Sequence, residues 1–212
     1  MTEWYRRKTW TEDDEKEFFA KLARARKDGR AQYLKIQALE LVETKELKLL
    51  DIAESLINRL FTDYPDEKFE KAQSLYTLGE IYEIRGYFEK AIQYFKQAID
   101  FERVYPQVIT PAYLNYSELI VKTNKTKLFD DVETIILNRL SQNLISFPIE
   151  KYKQYSILSI INKYKHNSEQ AKEYERLAEK YANEKTSGLR YHKYLGLVKE
   201  RDNWLDRLLK RK

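Results

Sequence analysis

Apolar residues along this chain recur at the three- and four-residue spacing of amphipathic helices, and no stretch sustains the two-residue alternation of a half-buried strand. Thr11 followed by Glu12, Asp13 and Asp14 places a capping hydroxyl and carboxylates where the helix dipole favours negative charge, so a helix begins there. The Asp28-Gly29 pair is expected to end it. Phe18, Phe19, Leu22 and Ala25 form its apolar stripe, and Trp4, Tyr5 and Trp10 precede it as large anchors, which predicts an N-terminal cap over residues 1–30. From Arg30 onward, helices of about 12 to 18 residues are broken at Thr44-Lys45, Asp63-Tyr64-Pro65-Asp66, Gly86, Pro106, Thr123-Asn124-Lys125, Phe147-Pro148, His166-Asn167-Ser168 and Ser187-Gly188. Breaks this short imply antiparallel neighbours.

A repeat emerges from the small residues at which the first helix of each pair must approach its neighbours: Ala38, Gly79, Ser117, Ser159 and Gly196, separated by 41, 38, 42 and 37 residues. Second-helix positions keep step at Ala53, Ala91, Val132 and Ala171. A period of about 40 residues marks a helical solenoid, because one pair cannot bury its apolar face alone and must stack on the next. The expected pairs are 31–65, 72–106, 110–145 and 152–185, with a shortened pair or cap at 189–212. No Pro- or Ser-rich linker divides them, so a single domain over 1–212 is expected.

Within 72–106, Leu75, Leu78-Gly79 and Tyr82, then Gly86, then Ala91, Phe95 and Ala98 closely resemble a tetratricopeptide repeat. Gly79 and Ala91 let the helices come close, Tyr82 and Phe95 fill the space around them, and Gly86 permits the turn. Residues 152–185 keep Leu158-Ser159, Ala171 and Ala178 but carry Asn162 where that family prefers an aromatic. Residues 110–145 keep only Tyr116-Ser117, Ile120 and Val132, and the last segment offers Tyr191, Leu195-Gly196, Leu205, Leu208 and Leu209. The resemblance thus implies an all-α fold, an α-α superhelix of antiparallel helix pairs with capping helices at both ends.

The chain's 42% hydrophobic and 34% charged content and its few turn-forming residues, five Gly and four Pro, agree with helices rather than sandwiches or barrels. It has no cysteine, which excludes disulfides, a thiolate nucleophile and a Cys-containing zinc site, and fits a reducing compartment. No run approaches the roughly 18 apolar residues of a membrane span, and no secretory leader opens the sequence, so a cytoplasmic protein without a membrane partner is expected. The net charge of +5 is concentrated at one end: residues 185–212 hold nine Lys/Arg against three acids, or +6. That end is either a solvated terminal helix or a site for RNA or another polyanion.

Catalysis finds little support. Two histidines without cysteine leave scant material for triad or metal chemistry, the paired acids lack a recognisable partner motif, and no Gly-rich phosphate loop exists, so neither an enzyme nor a cofactor or metal is expected. His192, between Arg190 and Lys193 at an expected helix start, is a candidate anion site or simply a surface residue.

The family resemblance instead implies a protein-protein interaction scaffold or adaptor that holds a peptide or partner protein on the concave face lined by first helices. Helical spacing then nominates Lys35, Gln73, Tyr76, Glu80, Glu83, Leu114, Glu118 and Lys163, beside Gln32, Leu39, Val121, Ser156 and Ile160. Family members that clamp a peptide carboxylate place Lys and Asn at such positions, where this chain has Tyr76, Glu80, Leu114 and Glu118, and only Lys35 fits. A neutral or basic ligand is therefore expected. The alternative is RNA or polyanion binding through Arg190, Tyr191, His192, Lys193 and Lys210-Arg211-Lys212. Monomer and homodimer both remain open.

Overall fold

The structure is a computed structural model that describes residues 3–142 and 146–210; Arg211 and Lys212 of the basic end lie outside the described residues. Ten α-helices and no strand occur among them. They are α1 (Glu12–Arg24), α2 (Lys27–Glu43), α3 (Leu47–Asp63), α4 (Lys68–Ile84), α5 (Phe88–Val104), α6 (Ala112–Lys122), α7 (Phe129–Ser141), α8 (Pro148–Tyr164), α9 (Ser168–Ala182) and α10 (Asn203–Leu209). The contacts sort the chain into two compact units, Met1–Ala112 and Tyr113–Lys212. Each contains two of the four expected pairs.

In the first unit α2 packs on α3 and α4 on α5, and the two pairs meet along α2, α3 and α4. Thr11 caps α1 as expected: its Oγ1 accepts from the Asp14 amide (3.1 Å), while its own amide donates to Asp14 Oδ2 (2.9 Å). The helix nevertheless ends at Arg24, not at Asp28-Gly29. Arg30 donates to the carbonyls of Ala23 (2.6 Å) and Ala25 (3.0 Å) and so satisfies that end, and Asp28 instead places its charge in the first turn of α2. The segment before α1 docks through the fully buried Gln37, whose Oε1 accepts from the Arg7 amide (3.1 Å) and whose Nε2 donates to the Arg7 carbonyl (2.8 Å). Trp4 and Trp10 pack beside Phe18.

The expected small residues are buried within the pairs. Ala38, Ala53, Ala91, Ser117, Val132 and Ser159 are fully buried, and a Cβ at Gly79 would lie 2.4 Å from the Phe95 ring. Ser159 Oγ donates to the carbonyl of Ala171, its second-helix counterpart (2.8 Å). Seven residues after each first-helix small residue the backbone turns left-handed: Lys45 (φ 59), Gly86 (φ 78), Asn124 (φ 54) and His166 (φ 60). The amides of Tyr87, Lys125 and Asn167 then reach back to the carbonyls of Tyr82, Ile120 and Asn162 at 2.8–3.0 Å, so one C-terminal cap recurs.

In the second unit Tyr116 donates to Asp131 (2.7 Å) between α6 and α7, and α8 packs along α9. The expected last pair is not formed. Residues 183–202 are non-helical, and Gly196 sits in a turn at φ 68, where a Cβ would strike the Phe147 ring at 2.4 Å. Its small size serves a tight turn rather than a helix crossing. Only α10 remains as a cap, burying Leu205 and Leu209 against α8.

Candidate interaction surfaces

The first-helix residues of the first unit are partly engaged in holding α2 to α4. Lys35 Nζ lies 2.5 Å from Glu70 Oε2, so the one lysine suited to a ligand carboxylate is already neutralised. Gln73 stays half-exposed one turn later, and its carbonyl accepts from Thr77 Oγ1 (2.9 Å). Tyr76 is buried, with its ring 5.6 Å from that of Phe95, and it belongs to the pair's core rather than to a groove. Its hydroxyl donates to Glu80 Oε1 at 3.0 Å.

Glu80 and Glu83 complete this face. Burial pushes the Glu80 carboxyl up from its ordinary 4.5 to about 7, the Tyr76 hydrogen bond opposes the shift, and the charges of Glu83 and Glu43 add to it. Glu43 itself pairs with Lys8 at 3.0 Å. The acidic field expected here is therefore weaker near neutral pH than three formal carboxylates would make it. Glu83 is half-exposed one turn beyond.

In the second unit the nominated residues hold the chain's own C-terminal segment. Leu114 is buried and offers no surface. Glu118 binds Lys153 (2.9 Å), which also reaches Asp202 (3.4 Å), and these opposing charges hold the Lys153 ammonium above its ordinary range against the cost of burial. Lys163 pairs with Glu175 (2.9 Å) and donates to the Leu209 carbonyl. Tyr152 donates to Asp206 at 2.7 Å. A short helix, α10, thus lies on the α8 face through a buried leucine pair and tailored polar ties. Beside it a cleft of about 620 Å³ is lined by Val121, Ile160, Lys163, Tyr164 and Trp204.

Arg190, His192 and Lys193 are exposed in the 183–202 segment, not at a helix start, so no helix dipole or end amides assist an anion there. The Arg190 guanidinium sits 5.3 Å from the centre of the Tyr191 ring. Sequence reasoning missed Lys153 and the exposed Tyr194 of the same segment, and it read the exposed Leu195 as a packing position of the expected last pair. A basic residue facing an acid one helix pair away was the available signal for Lys153. Among the described residues no group of His, Asp or Glu is arranged to hold a metal, and no helix is long and apolar enough to cross a membrane.

Compared with known proteins, the chain matches no family model, no curated protein and no solved structure.

Proposed function

We propose that this protein is a non-enzymatic scaffold or adaptor of the tetratricopeptide-repeat kind, binding a peptide or partner protein along its first-helix faces. The observation that carries the reading is α10: a seven-residue helix with two buried leucines is held on the α8 face by Tyr152, Lys153 and Lys163. A first-helix face built to receive a short amphipathic helix from its own chain has the chemistry to receive one from another. In the first unit the corresponding face presents the partly exposed, polar Gln73 and Glu83, with the mostly buried Glu80 between them.

The test places a photo-crosslinking side chain at Gln73, at Glu83 and, as a control, at the exposed Gln93 of α5, followed by irradiation in native lysate. One defined protein captured from 73 and 83 but not from 93, with capture lowered about tenfold by Glu83→Lys at unchanged helicity, supports the reading. Equal capture from all three positions, or capture indifferent to Glu83→Lys, overturns it.

A further inference from the structure

The segment between α9 and α10 is ordered by its own hydrogen bonds. The Ser187 amide donates to the Lys193 carbonyl (2.7 Å), while Ser187 Oγ donates to the His192 carbonyl (2.7 Å) and accepts from the Leu189 amide (3.2 Å). The His192 amide closes onto Leu189 O (3.3 Å) and the Leu195 amide onto His192 O (3.0 Å). At its far end Gly196 packs on Phe147, and its carbonyl accepts from the Ile149 amide at 2.9 Å, which pins the loop to the first turn of α8. The loop is thus closed at its base and anchored at one flank.

From this base project Tyr191, Tyr194 and Leu195, which are 81%, 75% and 53% exposed. Scattered exposed apolar residues are ordinary on any surface; three within five positions on a hydrogen-bonded loop are not, and the large tyrosines Tyr116 and Tyr152 show the chain burying such rings elsewhere. Along the segment itself the charge has one sign. Residues 185–199 contain Lys185, Arg190, Lys193 and Lys199 and no acid. Among the described residues no carboxylate pairs with Arg190 or Lys193, whereas Arg85, Lys153, Lys165 and Arg201 each hold at least one.

Flat aromatic faces interleaved with unneutralised cations are what a single strand of nucleic acid engages: bases stack on rings and phosphates release counterions to Lys and Arg. We propose that the 187–195 loop is a binding site for single-stranded nucleic acid, in which Tyr191 and Tyr194 stack on bases while Arg190 and Lys193 hold the flanking phosphates. Arg190 already lies over the Tyr191 ring, so a base on that ring has a phosphate-binding cation beside it. A duplex is poorly served, because no helix or strand of the loop could enter a groove. An anionic bilayer would want more than one aliphatic wedge among the cations.

The experiment is fluorescence anisotropy of a labelled oligouridylate against the full chain across a salt series. Binding should weaken with salt at a slope of about −0.7 for each phosphate engaged, so Arg190→Gln with Lys193→Gln should flatten the slope by about 1.4. Tyr191→Ala with Tyr194→Ala should weaken binding by at least about tenfold, and the two Tyr→Phe changes should retain it, since stacking needs the ring and not the hydroxyl. All four side chains are exposed, so the variants test the surface rather than the core. Absence of binding at low salt overturns the proposal, as does binding that survives loss of both rings. So does retention on vesicles of equal parts phosphatidylcholine and phosphatidylserine that the oligonucleotide fails to displace.

Discussion

Glu80 makes the folded protein's stability depend on pH in a direction opposite to that of an ion-paired carboxylate. In the unfolded chain its carboxyl titrates near 4.5; in the folded chain burial moves it to about 7. The folded state therefore binds the proton more tightly, and the stability this contributes is complete below about pH 4.5 and lost as pH rises through 7. At about 1.4 kcal/mol for each tenfold change, the full effect is about 3 kcal/mol, and partial solvent access brings the expectation to about 2–3 kcal/mol. Glu80→Gln removes the titration but keeps an acceptor for the Tyr76 hydroxyl, so the variant should match the parent near pH 4.5 and exceed it by that amount at pH 8. The substitution leaves every other carboxylate in place, so the difference between the two proteins' urea unfolding free energies, measured at matched pH, reports Glu80 together with its coupling to the Glu83 and Glu43 charges. A stability difference that does not change between pH 4.5 and 8, or a variant less stable at pH 8, would refute the assignment of a buried, proton-holding carboxyl.

Two helical glycines should respond oppositely to alanine. Gly79→Ala drives a Cβ to within 2.4 Å of the fully buried Phe95 ring and should destabilise by about 1–2 kcal/mol despite better helix propensity, with the loss partly recovered by Phe95→Leu in a double-mutant cycle. Gly29→Ala meets only the Tyr33 ring at 3.3 Å and should stabilise by up to about 1 kcal/mol, both read by thermal or urea unfolding. Glu133→Ala deprives the buried Asn162 amide of one acceptor (2.7 Å) and Lys165 of one partner (2.6 Å), and because each keeps a second contact the cost should be about 1–2 kcal/mol in the same assay.

Helix pairing was legible because burial leaves small residues few alternatives where two helices cross, and the positions read in the first four pairs are the buried ones. Glycine is where that logic fails, since close approach and positive φ demand the same residue. Gly79 is the first case and Gly196 the second, so the expected last pair dissolved into a turn. The faces of the first helices were harder still. Along α4 nearly every position from Ala72 to Tyr82 is buried, and α8 is similar, whereas α9 buries little beyond Ala171 and Ala178. A helix covered on several sides loses the one-sided periodicity that would mark its exposed stripe, which is why Tyr76 and Leu114 read as surface and belong to the interior. Exposure on a non-helical loop carries no periodic signal at all, so Tyr194 is not marked by the sequence and Leu195 reads as part of a helix pair.

The departure at Asn162 is informative for the same reason. In the first unit Tyr82 of α4 and Arg85 just past its end both bind Glu54 of α3, and Arg85 also reaches Asp51. In the second unit Asn162 of α8 and Lys165 just past its end both bind Glu133 of α7, and Lys165 also reaches Asp130. Asparagine replaces the aromatic ring but donates to the same carboxylate position, 79 residues further along the chain. The other two first helices carry a different set: Leu41 and Ile120 are fully buried, and Thr44 and Thr123, three residues later, turn their hydroxyls back to the carbonyls of Leu41 and Leu119 at 2.7 Å. The left-handed turn therefore recurs with every pair, while the polar latch recurs with every second pair and always inside one compact unit. A hydrophobic pattern with a period near 40 hides that longer unit, because what repeats is an acid facing a donor and a cation rather than a residue type. Within each compact unit one latch ties the second helix of one pair to the first helix of the next, α3 to α4 in the first unit and α7 to α8 in the second.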